Sequence, residues 1–318
     1  MSKKIVVVCG PTASGKTALS IALAKAFGGE VVSADSMQIY RGMDIGTAKP
    51  TLEEREGIPH HMLDVAEPGE IYSVSRYVQE ATACVEDILS RGKLPIVCGG
   101  TGLYIDGLIR GTDFQPAGTD NGIREELEKE WEEQGAEAMM ARLAAVDPPS
   151  AERLHLSDKR RILRALEVYL ATGETITAHN ARTKAIPPRF EAVMIGLNTQ
   201  PRDILYGRID RRVDVMLEQG LLREVQTLLE KGLLEGTAAQ AIGYKELLAH
   251  FRGEMTLDAA ADLIRQKSRN YAKRQLTWFR RDERVKWIVY NAPQAAQAVL
   301  QEATEYLQQT LYNNGVKS

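Results

Sequence analysis

Apolar residues in the first hundred positions follow two different spacings. A continuous β-branched run at 5–9 predicts a strand that is buried on both faces of a parallel sheet, and 94–98 predicts another buried strand. Helical spacing along 16–27 and about 73–90 predicts helices, and 30–34 predicts a further strand. This alternation of strands and helices indicates an α/β fold with an open parallel sheet.

Beyond about residue 120 the pattern is helical only, up to about 180. An apolar run at 192–197 then predicts a strand that rejoins the sheet, and 285–290 predicts a last strand. We therefore expect three parts: an α/β core at 1–118 and 192–295, an inserted all-helical domain at 119–191, and a C-terminal helix with a frayed tail at 296–318.

Composition excludes disordered, collagen-like and disulfide-stapled chains, since the 318 residues are 44% hydrophobic and include three cysteines without metal-site spacing. The sequence has neither a secretory signal nor an apolar stretch near the ~20 residues of a membrane span, so we expect a cytoplasmic protein. The net charge of −3 is unevenly distributed: −2 over 1–112, −7 over 113–150, +7 over 151–290 and −1 over 291–318. The basic part favours a polyanionic partner, although solvated helix faces would show the same charge.

Residues 10–17 match the phosphate-loop pattern G-x-x-x-x-G-K-[ST] between a predicted strand and a predicted helix. Backbone amides of such a loop, together with the helix N-terminus, bind phosphate oxygens. The lysine adds a charge and the threonine hydroxyl is a ligand for Mg²⁺. The predicted phosphate-binding residues are Gly10, Pro11, Thr12, Ala13, Ser14, Gly15, Lys16 and Thr17, with Thr17 as the metal ligand.

Two further segments leave predicted strands at the same edge of the sheet, where ligands of α/β folds bind. Asp35 follows the second strand and is a candidate base or Mg²⁺ ligand, with a turn cap as the alternative. Thr101 follows the third strand and is a candidate phosphate donor, with an ordinary strand-to-helix turn as the alternative.

Basic residues form two further groups. Arg160, Arg161 and Arg164 share one face of a predicted helix, and 265–281 holds seven basic residues and no acidic one. Both groups suit a nucleic-acid backbone, with a solvated face as the alternative for the first. Arg212 lies beside an apolar helix stripe and is a candidate diphosphate ligand, with a structural ion pair as the alternative.

Seven segments of the chain form a distinctive set: GPTASGKT at 10–17, SADSMQIYRGMDIGTAKP at 33–50, GIPHHMLD at 57–64, GGTGLY at 99–104, RRILRALEV at 160–168, AIGYKE at 241–246 and KRQLTWFRR at 273–281. Together they closely resemble the bacterial tRNA dimethylallyltransferases. The resemblance runs from the first strand to about residue 290, and the 33–50 segment is far more specific than the phosphate loop.

The resemblance implies a P-loop NTPase-like core that moves a dimethylallyl group from dimethylallyl diphosphate to N6 of adenine 37, next to the anticodon, in tRNAs that read UNN codons. It implies Mg²⁺ as cofactor, the tRNA anticodon stem-loop as partner, and a monomer. The implied catalytic residues are Asp35, Thr17, Lys16, Thr101 and Arg212. The implied tRNA contacts are Asp35, Ser36, Met37, Gln38, Thr101, Arg124, Arg160, Arg161, Arg164, Gln240, Gly243, Tyr244 and Lys245.

Three other functions fit parts of the same sequence. A small-molecule P-loop kinase fits the phosphate loop equally well but leaves the basic 265–281 segment without a role. An adenylate prenyltransferase of the cytokinin type fits the chemistry, while the arginine-rich insertion favours the larger RNA acceptor. A nucleic-acid-binding ATPase would need a strand that ends in an acidic pair, and the sequence shows no clear one.

Overall fold

The structure of the protein is a computed structural model. It describes residues 3–112, 122–291 and 295–312, except the side chains of Lys184 and Tyr312. The strands of this part are β1 (Lys4–Cys9), β2 (Gly29–Ser33), β3 (His60–His61), β4 (Leu94–Gly99), β5 (Glu191–Thr199) and β6 (Val285–Tyr290). They form one parallel sheet in the order β3-β2-β4-β1-β5-β6, which confirms the predicted α/β fold.

The helices account for most of the remaining described residues. They are α1 (Lys16–Phe27), α2 (Val74–Ser90), α3 (Gly102–Arg110), α4 (Ile123–Val146), α5 (Pro148–Arg153), α6 (Lys159–Thr172), α7 (Ile176–Ala185), α8 (Arg202–Glu218), α9 (Leu221–Glu230), α10 (Tyr244–Phe251), α11 (Leu257–Phe279) and α12 (Ala296–Tyr312). A 3-10 turn at Ala238–Gln240 precedes α10.

The central strand β1 explains why the phosphate loop is rigidly placed. Its last five residues are fully buried, because β4 and β5 pair with its two edges and helices cover its faces. On one face, Val6 and Val8 join a buried cluster with Leu23 of α1 and Leu307 of α12. The continuous apolar run in the sequence therefore marks a strand with no solvent-facing side.

The edge strand β3 was not predicted. In the structure His60 and His61 pair with Val31 and Val32 of β2, at a place where no strand is expected above. Two residues are too few to show any alternation of apolar and polar positions, so the sequence offers no periodic signal here.

The chain divides into two compact units, one made of Met1–Gly111 and Arg189–Ser318 and the other of Thr112–Pro188. The insertion expected at 119–191 begins and ends a few residues later in the chain than the unit Thr112–Pro188. The return point is set by Phe190, which is buried and whose amide donates to the carbonyl of Ile109. The expected boundary at 118–119 and the expected tail at 313–318 lie outside the described residues.

The unit Thr112–Pro188 is helical throughout its described part, as the spacing after residue 120 predicts. Leu127, Met139 and Leu143 of α4 bury their side chains against Ile162 and Leu166 of α6. The unit thus has an apolar core of its own.

The C-terminal helix α12 belongs to the first unit rather than to a separate part. Its residues Val299, Ala303 and Leu307 are buried at helical spacing in the cluster beside β1. No helix in the described ranges is long and apolar enough to cross a membrane.

Candidate active site

The phosphate loop connects β1 to α1 through a backbone that favours glycine at two points. Gly10 has φ 136°, and a Cβ there would lie 2.4 Å from the carbonyl oxygen of Leu197, while Gly15 has φ 82°. Inside the loop, the hydroxyl of Ser14 and the ammonium of Lys16 both donate to the carbonyl of Pro11, at 2.8 and 2.7 Å. Ser14 therefore supports the loop from within, and burial lowers the pKa of Lys16.

Two adjoining cavities lie beside this loop, with volumes of about 290 and 360 Å³. Both are lined by Thr12, Asp35 and Arg212, and the second also by Lys16 and Thr17. The first is partly apolar, since Ile209, Val213, Met216, Leu221 and Ile264 contribute to its wall. The phosphate loop and an apolar wall are thus adjacent, an arrangement that suits a phosphorylated ligand with an apolar tail.

Asp35 follows β2 at the edge of the sheet and is half-buried. Its Oδ1 accepts a hydrogen bond from the amide of Met37 at 2.9 Å, so the carboxylate also caps the turn that it begins. Burial raises the pKa of Asp35, against the opposing effects of the Met37 amide and Lys16. A carboxylate with a raised pKa is a better proton acceptor than an ordinary one.

Arg212 of α8 lines both cavities, and the carboxylate nearest to it electrostatically is that of Glu54, which lines the second cavity with it. Burial and the nearby Arg208 lower the pKa of Arg212. Arg208 itself donates to the hydroxyl of Tyr290 at 2.8 Å, and that hydroxyl donates to the carbonyl of Ser14. Of these two arginines, Arg212 is the one available to an anion in the cavities.

Thr101 stands at the start of α3, yet its side chain does not cap that helix. Its Oγ1 accepts a hydrogen bond from the amide of Ser36 at 3.1 Å and thereby joins the two turns that follow β2 and β4. The Ser36 hydroxyl lies 3.4 Å away. In this arrangement Thr101 fixes the turn that carries Asp35.

The residues after Asp35 have different surroundings. Ser36 and Met37 line the first cavity with Gly46, Thr47 and Ala48. Gln38 lines the second cavity. Its amide nitrogen donates to the carbonyls of Thr47 and Ala48, each at 3.1 Å, and its amide oxygen accepts from the Ser33 hydroxyl. Its polar atoms thus already have protein partners.

The expected tRNA contacts at 240–245 fall into three kinds. Gln240 and Gly243 both line the first cavity. Gln240 is exposed, and Gly243, with φ 97°, is the N-cap residue just before α10. Lys245 is exposed. Tyr244, expected as a direct contact, is instead fully buried, and its hydroxyl donates to Glu224. Its apolar ring packs inside the unit, so it has no surface to offer an RNA.

The arginines of the helical unit are solvent-accessible. Arg160 and Arg161 are exposed, and Arg161 lies 3.8 Å from Asp158. Arg164 and Arg124 both pair with Glu167, at 3.3 and 3.7 Å, and Arg124 also pairs with Glu128. Solvent-accessible ion pairs of this kind are weak, so a phosphate can compete with these carboxylates for the arginines.

Three basic residues on one face of α11, namely Arg265, Arg269 and Lys273, have partners inside the protein. Arg265 pairs with Asp214 and Asp262, and Arg269 pairs with Asp210, while the Lys273 ammonium lies 5.8 Å from the ring centre of Tyr206. Carboxylates, mainly from α8, thus neutralise the first two arginines inside the protein. The α8 carboxylates could not be recognised as partners from the sequence, because they are remote in the chain.

Comparison with known proteins identifies the family. A model described as IPP transferase matches residues 38–282, and one described as isopentenyl transferase matches residues 3–72. The chain belongs to the IPP transferase family. The tRNA dimethylallyltransferase of Acetivibrio thermocellus is 46% identical to it over 95% of this chain and 97% of the relative. That of Geobacillus thermodenitrificans is 48% identical over 96% and 97%.

Solved structures of IPP transferases agree with this assignment. The tRNA isopentenylpyrophosphate transferase of Bacillus halodurans is 40% identical, with a TM-score of 0.72 and coverage of 99% of this chain and 100% of that one. A eukaryotic dimethylallyltransferase acting on tRNA is 32% identical, with a TM-score of 0.85 and coverage of 100% and 81%. The resemblance stated from the sequence motifs is confirmed.

Two further residues of this site, Gln275 and Tyr271, were not predicted from the sequence. Gln275 of α11 is buried, and its amide accepts from the Thr12 amide at 2.8 Å and donates to the Gly100 carbonyl at 3.1 Å. Tyr271 lines both cavities, and burial together with the nearby Asp35 raises the pKa of Tyr271 to about 12. The available signal was their i, i+4 spacing, which places a tyrosine and a glutamine on one helix face.

Proposed function

We propose that this chain transfers a dimethylallyl group from dimethylallyl diphosphate to N6 of adenine 37 in tRNAs that read UNN codons. The observation that carries the proposal is that Asp35, Lys16 and Arg212 line the same cavity beside an apolar wall, in a chain of the IPP transferase family. The relatives named tRNA dimethylallyltransferase, and the solved structure of one acting on tRNA, support the group transferred and the acceptor.

In the proposed reaction, the adenine N6 attacks the allylic carbon that carries the diphosphate. A nitrogen–carbon bond forms, the carbon–oxygen bond to diphosphate breaks, and N6 gives up one proton. Asp35 accepts that proton, because its carboxylate is at the cavity wall and burial raises its pKa. Thr101 holds the Asp35 turn through the Ser36 amide and so aims the carboxylate.

The leaving group gains negative charge as the carbon–oxygen bond breaks. Lys16, the amides of the phosphate loop and Arg212 supply the compensating positive charge. Arg212 is suited to this role because it lines both cavities and its charge is only partly offset by the nearby carboxylate of Glu54. Its guanidinium can form paired hydrogen bonds with diphosphate oxygens.

The second cavity also suits a Mg²⁺ ion. The Thr17 hydroxyl, at the second cavity, and diphosphate itself are hard oxygen donors of the kind that this ion prefers. Thr17 would hold the ion, and when bound Mg²⁺ would neutralise part of the diphosphate charge. Lys16 and Arg212 act on the same oxygens without it.

Adenine 37 has to leave its stack to reach Asp35, as bases do in other base-modifying enzymes. Ser36, Met37, Gln240 and Gly243 line the space that would receive it. We assign backbone contacts of the anticodon stem-loop to Lys245 and to the exposed arginine surface formed by Arg124, Arg160, Arg161 and Arg164. We also propose that the chain acts as a monomer in the cytoplasm, where tRNA is found.

The decisive experiment incubates the purified chain with labelled dimethylallyl diphosphate, Mg²⁺ and unmodified tRNA, and then analyses the nucleosides. We expect the label only in N6-(dimethylallyl)adenosine, and no label in a tRNA with guanine at position 37. A Lys16→Ala chain is the matched control and should transfer far less. Consumption of nucleoside triphosphate without any label in tRNA would instead favour the small-molecule kinase.

A further inference from the structure

Glu224, in the first turn of α9, binds the backbone of a distant segment. Three consecutive amides donate to its carboxylate: those of Asp44 and Ile45 to Oε2 at 3.0 and 2.8 Å, and that of Gly46 to Oε1 at 3.1 Å. Hydrogen bonds to an ionised carboxylate are stronger than neutral ones. One side chain therefore fixes the start of the 44–48 loop.

Tyr244 adds a second link to the same point. Its hydroxyl donates to Oε1 of Glu224. Its ring lies against Gly46 so closely that a Cβ on that glycine would meet ring carbons at 2.5 and 2.7 Å. The ring is fully buried, so both its packing and its hydrogen bond serve the interior of the unit.

The two segments joined in this way are both walls of the first cavity. Gly46, Thr47 and Ala48 form one part of the lining, and residues 240–243, which directly precede Tyr244, form another. Asp35 lines the same space. The 44–48 loop is also tied to the Asp35 turn, since the Gln38 amide donates to the carbonyls of Thr47 and Ala48.

We propose that Glu224 and Tyr244 are positioning residues for prenyl transfer, which hold the 44–48 loop against the 240–243 segment and so fix the walls of the cavity that Asp35 lines. Neither residue lines that cavity. They act through the backbone they hold, and the proposal rests on the transfer reaction proposed above.

The test compares Glu224→Gln and Tyr244→Phe with Glu230→Gln, an exposed carboxylate on the same helix. The melting temperature of each chain is measured first. Three quantities are then measured at a temperature where all chains are folded: the single-turnover transfer rate at saturating substrates, the affinity for inorganic diphosphate, and amide exchange at 44–46. We expect the transfer rate of Glu224→Gln to fall about tenfold, a loss of about 1.4 kcal/mol in transition-state stabilisation. Exchange at 44–46 should become faster.

Diphosphate affinity should change less than about twofold, because Lys16 and Arg212 remain in place. Tyr244→Phe keeps the ring against Gly46 and loses one hydrogen bond, so its rate should fall by a smaller factor. Glu224→Asp keeps the charge on a shorter side chain and should recover part of the rate lost in Glu224→Gln. Glu230→Gln should match the wild-type chain.

Two results would overturn the proposal. One is a wild-type transfer rate in Glu224→Gln and Tyr244→Phe while amide exchange at 44–46 becomes faster. The 44–48 loop would then be less firmly held without any effect on the transfer rate. The other is a parallel fall in transfer rate, diphosphate affinity and melting temperature, which would make the pair a general part of the fold. Tyr244→Phe decides alone if Glu224→Gln does not fold. Failure of the wild-type chain to transfer would instead refute the proposed function.

Discussion

Replacement of Gln275 by leucine tests whether α11 holds the phosphate loop in its binding shape. Leucine has a similar volume but forms neither the hydrogen bond to the Thr12 amide nor that to the Gly100 carbonyl. Gly100 is buried, so its carbonyl would lose its side-chain partner at a cost of about 1–3 kcal/mol. Thr12 lines the cavities, so water can replace its lost partner at little cost in stability.

We therefore expect the free energy of unfolding of Gln275→Leu to fall by about 1–3 kcal/mol in a denaturant titration. The KM for dimethylallyl diphosphate should rise several-fold, because the Thr12 amide is no longer held in place. Gln266→Leu is the matched control, since Gln266 is exposed on the same helix and should change neither quantity. Unaltered stability and unaltered KM in Gln275→Leu would refute this account of how α11 supports the loop.

Three further variants separate the roles of the charged groups. Asp35→Asn should abolish transfer while tRNA affinity in a filter-binding assay stays nearly unchanged. In the wild-type chain the transfer rate should rise with pH through the raised pKa of Asp35, because only the deprotonated carboxylate accepts a proton. Equal loss of transfer and binding would contradict the base role. Arg212→Ala should raise the KM for dimethylallyl diphosphate at least tenfold and that for tRNA little, and the reverse pattern would reassign it. Arg160→Gln with Arg164→Gln should reduce the slope of log tRNA affinity against log salt by about 1–2, and an unchanged slope would mark a merely solvated face.

The sequence predicted the elements whose signal is local. The run at 5–9 and the glycine pattern at 10–17 gave the strand, the loop and the following helix, because each depends on neighbouring residues only. Asp35 could be placed at the edge of the sheet because parallel strands end on the same side. The family followed from the motifs, and the comparisons agree with it.

The errors concern partners that are far apart in the chain. The arginines of α11 suggested an external polyanion, since Asp210 and Asp214 lie more than fifty positions away from the residues that they neutralise. Tyr244 looked like an RNA contact because its segment is part of a family motif, and only the fold shows its burial against Gly46. The i, i+4 spacing of Tyr271 and Gln275 marks a shared helix face, but nothing in the sequence shows that Gln275 binds the backbone of Thr12 and Gly100.

The ion pairs between α8 and α11 affect how many phosphates a salt titration will count. Arg265 and Arg269 already share their charge with Asp214 and Asp210, so an approaching RNA displaces few counterions from them. The measured slope should thus report fewer contacts than a tally of lysines and arginines between 151 and 290 suggests. A small slope would be the signature of cations that the protein uses to join its own helices.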